Sequence, residues 1–143
     1  MTQYEKDLLL KDLCARMPYG VKVKFKVNEV IEIKEKLIYN IYGEYSYISD
    51  GKSYLTLDII KELFNNHLDE IKPYLFPMSS MTEEQKEEFN TKSLELQLKV
   101  IDEEIMYEEA TEFEVDFYNK HHLDWRGLIP MGLAIDATNL NIY

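Results

Sequence analysis

The amino-acid sequence predicts an α+β domain: an N-terminal helix, a small curled antiparallel sheet of four or five short strands that can close into a barrel, and helices packed over one side. Three observations predict it. Apolar residues recur at helical spacing up to Pro18 and Gly20, valine and lysine then alternate over 21–27, and a long acidic run with capping residues at its start follows residue 80. At 143 residues the chain is long enough to bury one core, and 1–143 is read as a single domain.

Residues 3–16 form the first expected helix. Leu9, Leu13 and Met17 stack at i,i+4 spacing, Leu10 and Cys14 widen the stripe, and the pairs Asp7 with Lys11 and Asp12 with Arg16 fall on the polar side. Pro18 and Gly20 stop it, and Met17, preceding a proline, is expected to be extended. Cys14 beside Leu10 and Leu13 reads as a small buried hydrophobe.

Val21, Val23, Phe25 and Val27 face one way and Lys22, Lys24 and Lys26 the other, so this strand has one buried face and a lysine row on its open side. A turn at Asn28-Glu29 returns the chain through 30–33. Residues 37–42 and 45–48 give further strands around Gly43, and Asp50-Gly51 is a hairpin signal leading to a short strand at 53–55. Thr56 can cap a short helix that continues toward His67. The stretch at 69–78, DEIKPYLFPM, reads as an extended connector lying against the core, because Lys72 and Phe76 each precede a proline.

Ser80 with Glu83 and Thr82 with Gln85 are two candidate capping boxes for the acidic helix. Leu94, Leu98, Ile101 and Ile105 form its apolar seam, Asn90-Thr91 is a point of bending, and the run to Glu109 reads as one helix or two. Thr111 with Glu114 is a third box, opening a helix that ends near Lys120 or His121. Residues 128–134 read as a last helical turn or a short strand, and the final ATNLNIY has no period and is expected to be loose.

Charge narrows the function. The net charge is −11, and residues 83–116 hold 13 acids against 3 bases, a difference of −10, so one helical segment carries nearly all the excess. That argues against a phosphate-backbone binder and for docking of a basic protein partner or self-association through 83–116. The lone Cys14 excludes an internal disulfide and a zinc site made mostly of cysteines. No window approaches the length of apolar sequence that spans a bilayer, and the first residues are charged, so a soluble cytoplasmic protein with no membrane association is expected.

Residues 121–136, HHLDWRGLIPMGLAID, gather two histidines, the only tryptophan, an arginine, two glycines and a proline. His121, His122, Asp124, Trp125 and Arg126 are the candidate functional cluster. His121, His122 and Asp124 are the candidate metal ligands, with His67 or Glu70 able to join them in space. Adjacent histidines on one helix point about 100° apart, however, and the HExxH spacing of metal hydrolases is absent. The structural alternative has the histidines capping a helix end, Asp124 capping the next turn or pairing with Arg126, and Trp125 packing over Phe113, Phe117 and Leu128. The five glycines are scattered and form no phosphate loop, and no GxSxG elbow occurs.

Three stretches carry a family resemblance: LLLKDLCARMPYGVKVK at 8–24, IKPYLFPMSSMTEEQK at 71–86 and NKHHLDWRGLIPMGLAI at 119–135. The chain thereby resembles a set of small uncharacterised proteins encoded in gut Bacteroidetes genomes and their phages or mobile elements. The resemblance implies a phage- or element-associated setting and supplies no activity, ligand or catalytic residue. The function expected from the residues is a non-catalytic interaction or accessory module without a cofactor. Two alternatives are a small metal-dependent hydrolase using His121, His122 and Asp124, and an RNA-binding small barrel whose lysine strand meets the backbone.

Overall fold

The computed structural model describes residues 1–25, 29–34, 37–39, 47–49, 52–54 and 68–143. Helix α1 spans Gln3–Arg16. Thr2 opens it with a full capping box, its hydroxyl accepting from the Glu5 amide and its own amide donating to the Glu5 carboxylate at 2.7 Å. Leu9 and Leu13 are buried, and so are Asp12 and Arg16, which the sequence places on the polar side. Cys14 is exposed instead of buried, because it lies about 140° around the helix from Leu9. Met17 does not extend. It stays helical at φ −49° and ψ −46°, since Pro18 occupies the first turn of a 3-10 helix, Met17–Tyr19, where a missing N–H costs nothing. Gly20, left-handed at φ 66°, then turns the chain into the sheet.

The sheet corrects the expected curled antiparallel meander. Its strands are β1 (Val21–Phe25), β2 (Glu29–Lys34), β3 (Leu37–Tyr39), β6 (Ile71–Leu75) and β7 (Ile135–Asp136), in the order β3-β2-β1-β6-β7. Among the described residues it is open, with β3 and β7 at its two edges, and it closes no barrel. It is also mixed: β1 pairs antiparallel with β2 and β6, while β6 pairs parallel with β7. Among the described residues, strands β4 (Tyr47–Ser49) and β5 (Lys52–Tyr54) pair with each other as a separate ribbon. The physical reason is that the 71–75 stretch, expected as a connector, inserts beside β1 with Val23 opposite Pro73. Proline is found in strands where the ladder is incomplete, and β7 lies opposite Tyr74 and Leu75 only. The turns at Asn28, Gly43 and Asp50-Gly51 and the helix expected at 56–67 lie outside the described residues.

The core follows from this order. Leu9 and Leu13 of α1, Val21 and Val23 of β1, and Ile71 and Leu75 of β6 pack with Leu68, Leu128, Leu133 and Ala134. Two more helices follow β6. Helix α2, Glu83–Ile101, starts at a Thr82/Gln85 capping box, while Ser80 instead donates to the Pro77 carbonyl in a 3-10 turn. It runs through Asn90-Thr91 unbroken. It ends where Glu103 takes φ 57° and donates to the Val100 carbonyl, so 83–109 is two helices. Helix α3, Tyr107–Lys120, therefore begins before the expected third box, and the Thr111 hydroxyl donates back to the Tyr107 carbonyl inside it. Phe89 of α2 joins the pair, stacking on Phe113 and Tyr118 and meeting the edge of Phe117 at 5.2 Å.

The apolar seam expected for α2 faces the other way. Half-buried Phe89, Leu96 and Val100 share the inward side, while Leu94, Leu98 and Ile101 are exposed and α2 contributes no buried residue. Both sets have helical spacing, and only the tertiary placement of Phe89 decides which one turns inward.

Candidate functional site

The C-terminal segment is built onto the end of β6 by backbone bonds. His122 ends α3 in the left-handed conformation at φ 56°, and Leu123 donates to the Tyr118 carbonyl. The Phe76 amide donates to the His122 carbonyl and the Asp124 amide to the Phe76 carbonyl, both at 2.8 Å, so Leu123 bridges Phe76 in parallel. Twelve residues later the chain pairs with β6 again as β7, and the Ala137 amide donates to the Leu75 carbonyl. The intervening loop closes on itself through Asp124. One carboxylate oxygen accepts from the Leu128 amide at 2.7 Å and the other from the Ile129 amide at 2.8 Å. Both oxygens of this buried side chain are thereby engaged, and Gly127 at φ +75° supplies the left-handed step the loop requires.

Arg126 does not pair with Asp124. Its guanidinium reaches Asp12 of α1, Nη1 to Oδ1 at 2.8 Å, while Arg16 Nε donates to the other Asp12 oxygen at 2.8 Å. Arg16 also donates to the Leu123 carbonyl at 2.7 Å. One carboxylate is therefore held between two guanidinium groups, with Asp12 and Arg16 at 0% exposure. Trp125 Nε1 donates to Oδ1 of buried Asn119, its ring lies near Tyr118, and the Arg126 guanidinium sits 3.9 Å above its ring centroid.

The two histidines diverge because the helix ends between them. His121 lies against Phe117, ring centroids 4.5 Å apart, with Nδ1 3.3 Å from the Gln85 amide nitrogen. His122 stacks on Tyr143 at 3.8 Å and an interplanar angle of 14°. The end of the chain is tied, not loose: the Tyr143 hydroxyl donates to the Tyr74 carbonyl and accepts from the Lys22 amide, and Lys22 Nζ donates to the Ile142 carbonyl. Lys22 of the expected lysine row is thus half-buried under these last residues. His121 Nε2, His122 Nδ1 and Arg16 Nη1 are buried and have no hydrogen-bond partner among the described residues. Among the described residues, no group of three His, Cys, Asp or Glu side chains converges as a metal site. His67 lies outside the described residues, and Asp124 is committed to its two amides.

Burial first, and then the charges of Arg16, His121 and Lys22, push the His122 imidazole from 6.5 down to about 4. Between those values the unfolded chain binds a proton that the folded protein refuses, so stability falls as pH drops from 6.5 toward 4 and the His122 contribution levels off below that. A loss of about 2 kcal/mol is expected by pH 5 relative to pH 7. Urea unfolding at the two pH values checks it. The variant His122→Asn, which retains a residue tolerant of the left-handed conformation, is expected to flatten the dependence, and an unchanged slope would contradict it.

A cavity of about 240 Å³ lies beside His121, walled by Phe76, Leu123, Ser80, Thr82 and Gln85. Several of its polar groups are already engaged: Ser80 with the Pro77 carbonyl, and Thr82 and Gln85 with each other in the capping box. The acidic hairpin of α2 and α3 differs in kind. The three lysines of α2 pair with its own acids, Lys86 with Glu83 at 2.9 Å and Lys92 and Lys99 with Glu95 at 3.2 and 3.4 Å. The remaining carboxylates of the hairpin have no lysine of α2 opposite them in an ion pair. The acidic run is legible in composition, whereas the outward direction of Leu94, Leu98 and Ile101 is set by tertiary placement. Among the described residues no helix is long and apolar enough to cross a membrane. No protein-family model, curated protein or solved structure matches the chain.

Proposed function

We propose that the protein is a non-catalytic interaction module whose acidic α2–α3 hairpin docks a basic protein partner. One observation carries the reading. The segment 83–116 holds −10 of the −11 net charge, and its first helix gives no buried residue to the core. Side chains that the core does not use are available for a partner, and carboxylates at this density steer a basic surface toward the helix. By contrast, the ring neighbours and hydrogen bonds of His121, His122, Asp124, Trp125 and Arg126 tie α3, β6 and α1 together, which supports a closing role for that cluster. Affinity capture of the tagged protein from the cells that make it, at low and then moderate salt, tests the reading. A stoichiometric protein partner that dissociates as salt rises is expected; retention of nucleic acid instead, or no partner at low salt, would contradict it.

A further inference from the structure

Deepening that reading and resting on it, we infer that the outward face of α2 is the seat of a basic amphipathic helix supplied by the partner. Leu94, Leu98 and Ile101 are 58%, 52% and 74% exposed, and their i, i+4, i+7 spacing sets them in one stripe on the face opposite Phe89 and Leu96. At the bend into α3, Met106 and Tyr107 are 68% and 71% exposed and extend the apolar area. Between the helices a groove of about 310 Å³ runs beside Ile101, lined by Ser93, Gln97, Val100, Tyr107 and Thr111. Five large apolar side chains exposed along one hairpin mark a contact surface rather than the scattered exposure normal for a monomer.

Charge selects the occupant. Glu84, Glu87, Glu88 and Glu95 lie along one flank of the stripe, around a shallow surface that they line with Thr91 and Lys92. A second copy of the chain would bring a second segment of −10 against the first, and the lysines of α2 already pair within their own helix. Self-association through this face is therefore opposed by charge, while a partner with its own apolar stripe flanked by lysine or arginine meets both features. Helical spacing of the seat suits a helix that presents residues at i, i+4 and i+7.

Two synthetic peptides of identical composition test this, one with leucines at i, i+4, i+7 and i+11 among lysines, the other with the same residues permuted so that no apolar face forms. Binding is followed by fluorescence anisotropy at about 0.1 M salt, where screening is moderate. The patterned peptide is expected to bind at least about ten-fold tighter than the permuted one, because only it buries leucines on the stripe. The double variant Leu94→Ser with Leu98→Ser is expected to erase that advantage while melting as the wild type does. Equal binding of both peptides would overturn the inference and leave acidic docking standing. Failure of both to bind would remove the docking reading as well. A wild-type dimer in sedimentation that the double variant dissociates would overturn the inference in favour of a second copy.

Discussion

Replacing Asp12 by alanine is expected to destabilise the protein by about 3–5 kcal/mol, the range for removing one partner from a buried ion pair. The size follows from the geometry. Asp12 accepts from Arg16 and Arg126 at 2.8 Å each, and both guanidinium groups are almost wholly removed from water, at 0% and 9% side-chain exposure. Alanine leaves two buried cations beside each other with no counter-charge. Thermal unfolding should move down by roughly 10 °C or more for a domain of this size. The companion variant Asp12→Leu, Arg16→Met, Arg126→Leu removes all three charges together and is expected to recover much of the loss, because uncharged side chains of similar volume avoid the desolvation of the ions. A single Asp12→Ala variant that melts with the wild type would show that the two arginines do not depend on this carboxylate.

A chain ending at Lys120 is expected to aggregate. It loses Leu123, Leu128, Leu133, Ala134 and Ala137, all buried, and uncovers Leu9, Leu13 and Leu75 against which much of this segment packs. It also loses the partners of β6: β7, the bonds between Phe76 and residues 122 and 124, and the bond from the Ala137 amide to Leu75. An unpaired strand edge beside uncovered apolar surface favours association between chains. Light scattering and urea unfolding report the outcome. A soluble truncated chain that unfolds cooperatively would contradict the claim that this segment closes the core.

The same contacts explain which features were legible in the sequence. Helix α1 was legible because Leu9 and Leu13 repeat at i,i+4 and Pro18 with Gly20 stops them, and β1 because Val21 and Val23 alternate with lysines. The burial of Asp12 and Arg16 was hidden: an acid and a base four apart on a helix look the same on a surface, and the group that draws them inward, Arg126, is 114 residues from Asp12. β6 was concealed by Pro73, and its parallel neighbour β7 is two residues long, too short for any period. The open mixed sheet, and with it the absence of the expected barrel, depends on that one strand.

For the candidate cluster, the residues were legible and their partners were not. His121 and His122 part because the chain takes the left-handed conformation at His122, a position that offers no glycine to mark it. The break between α2 and α3 is similar, since Glu103 carries the positive φ where glycine is usual. In α2, Leu94, Leu98 and Ile101 have the period of a core-facing seam, and period alone does not tell an inward stripe from an outward one.

Asp12, Asp124 and Tyr143 tie the core together, and the docking surface proposed above lies apart from them on the acidic hairpin. Reversing five charges, Glu84→Lys, Glu87→Lys, Glu88→Lys, Glu108→Lys and Glu112→Lys, and reading capture of the salt-sensitive partner alongside thermal unfolding tests that separation most directly. All five side chains are exposed. A melting temperature within a few degrees of wild type is expected, since each exposed substitution is worth about 0.5 kcal/mol or less, together with loss of the captured partner. Undiminished capture by a variant that folds normally would contradict that separation.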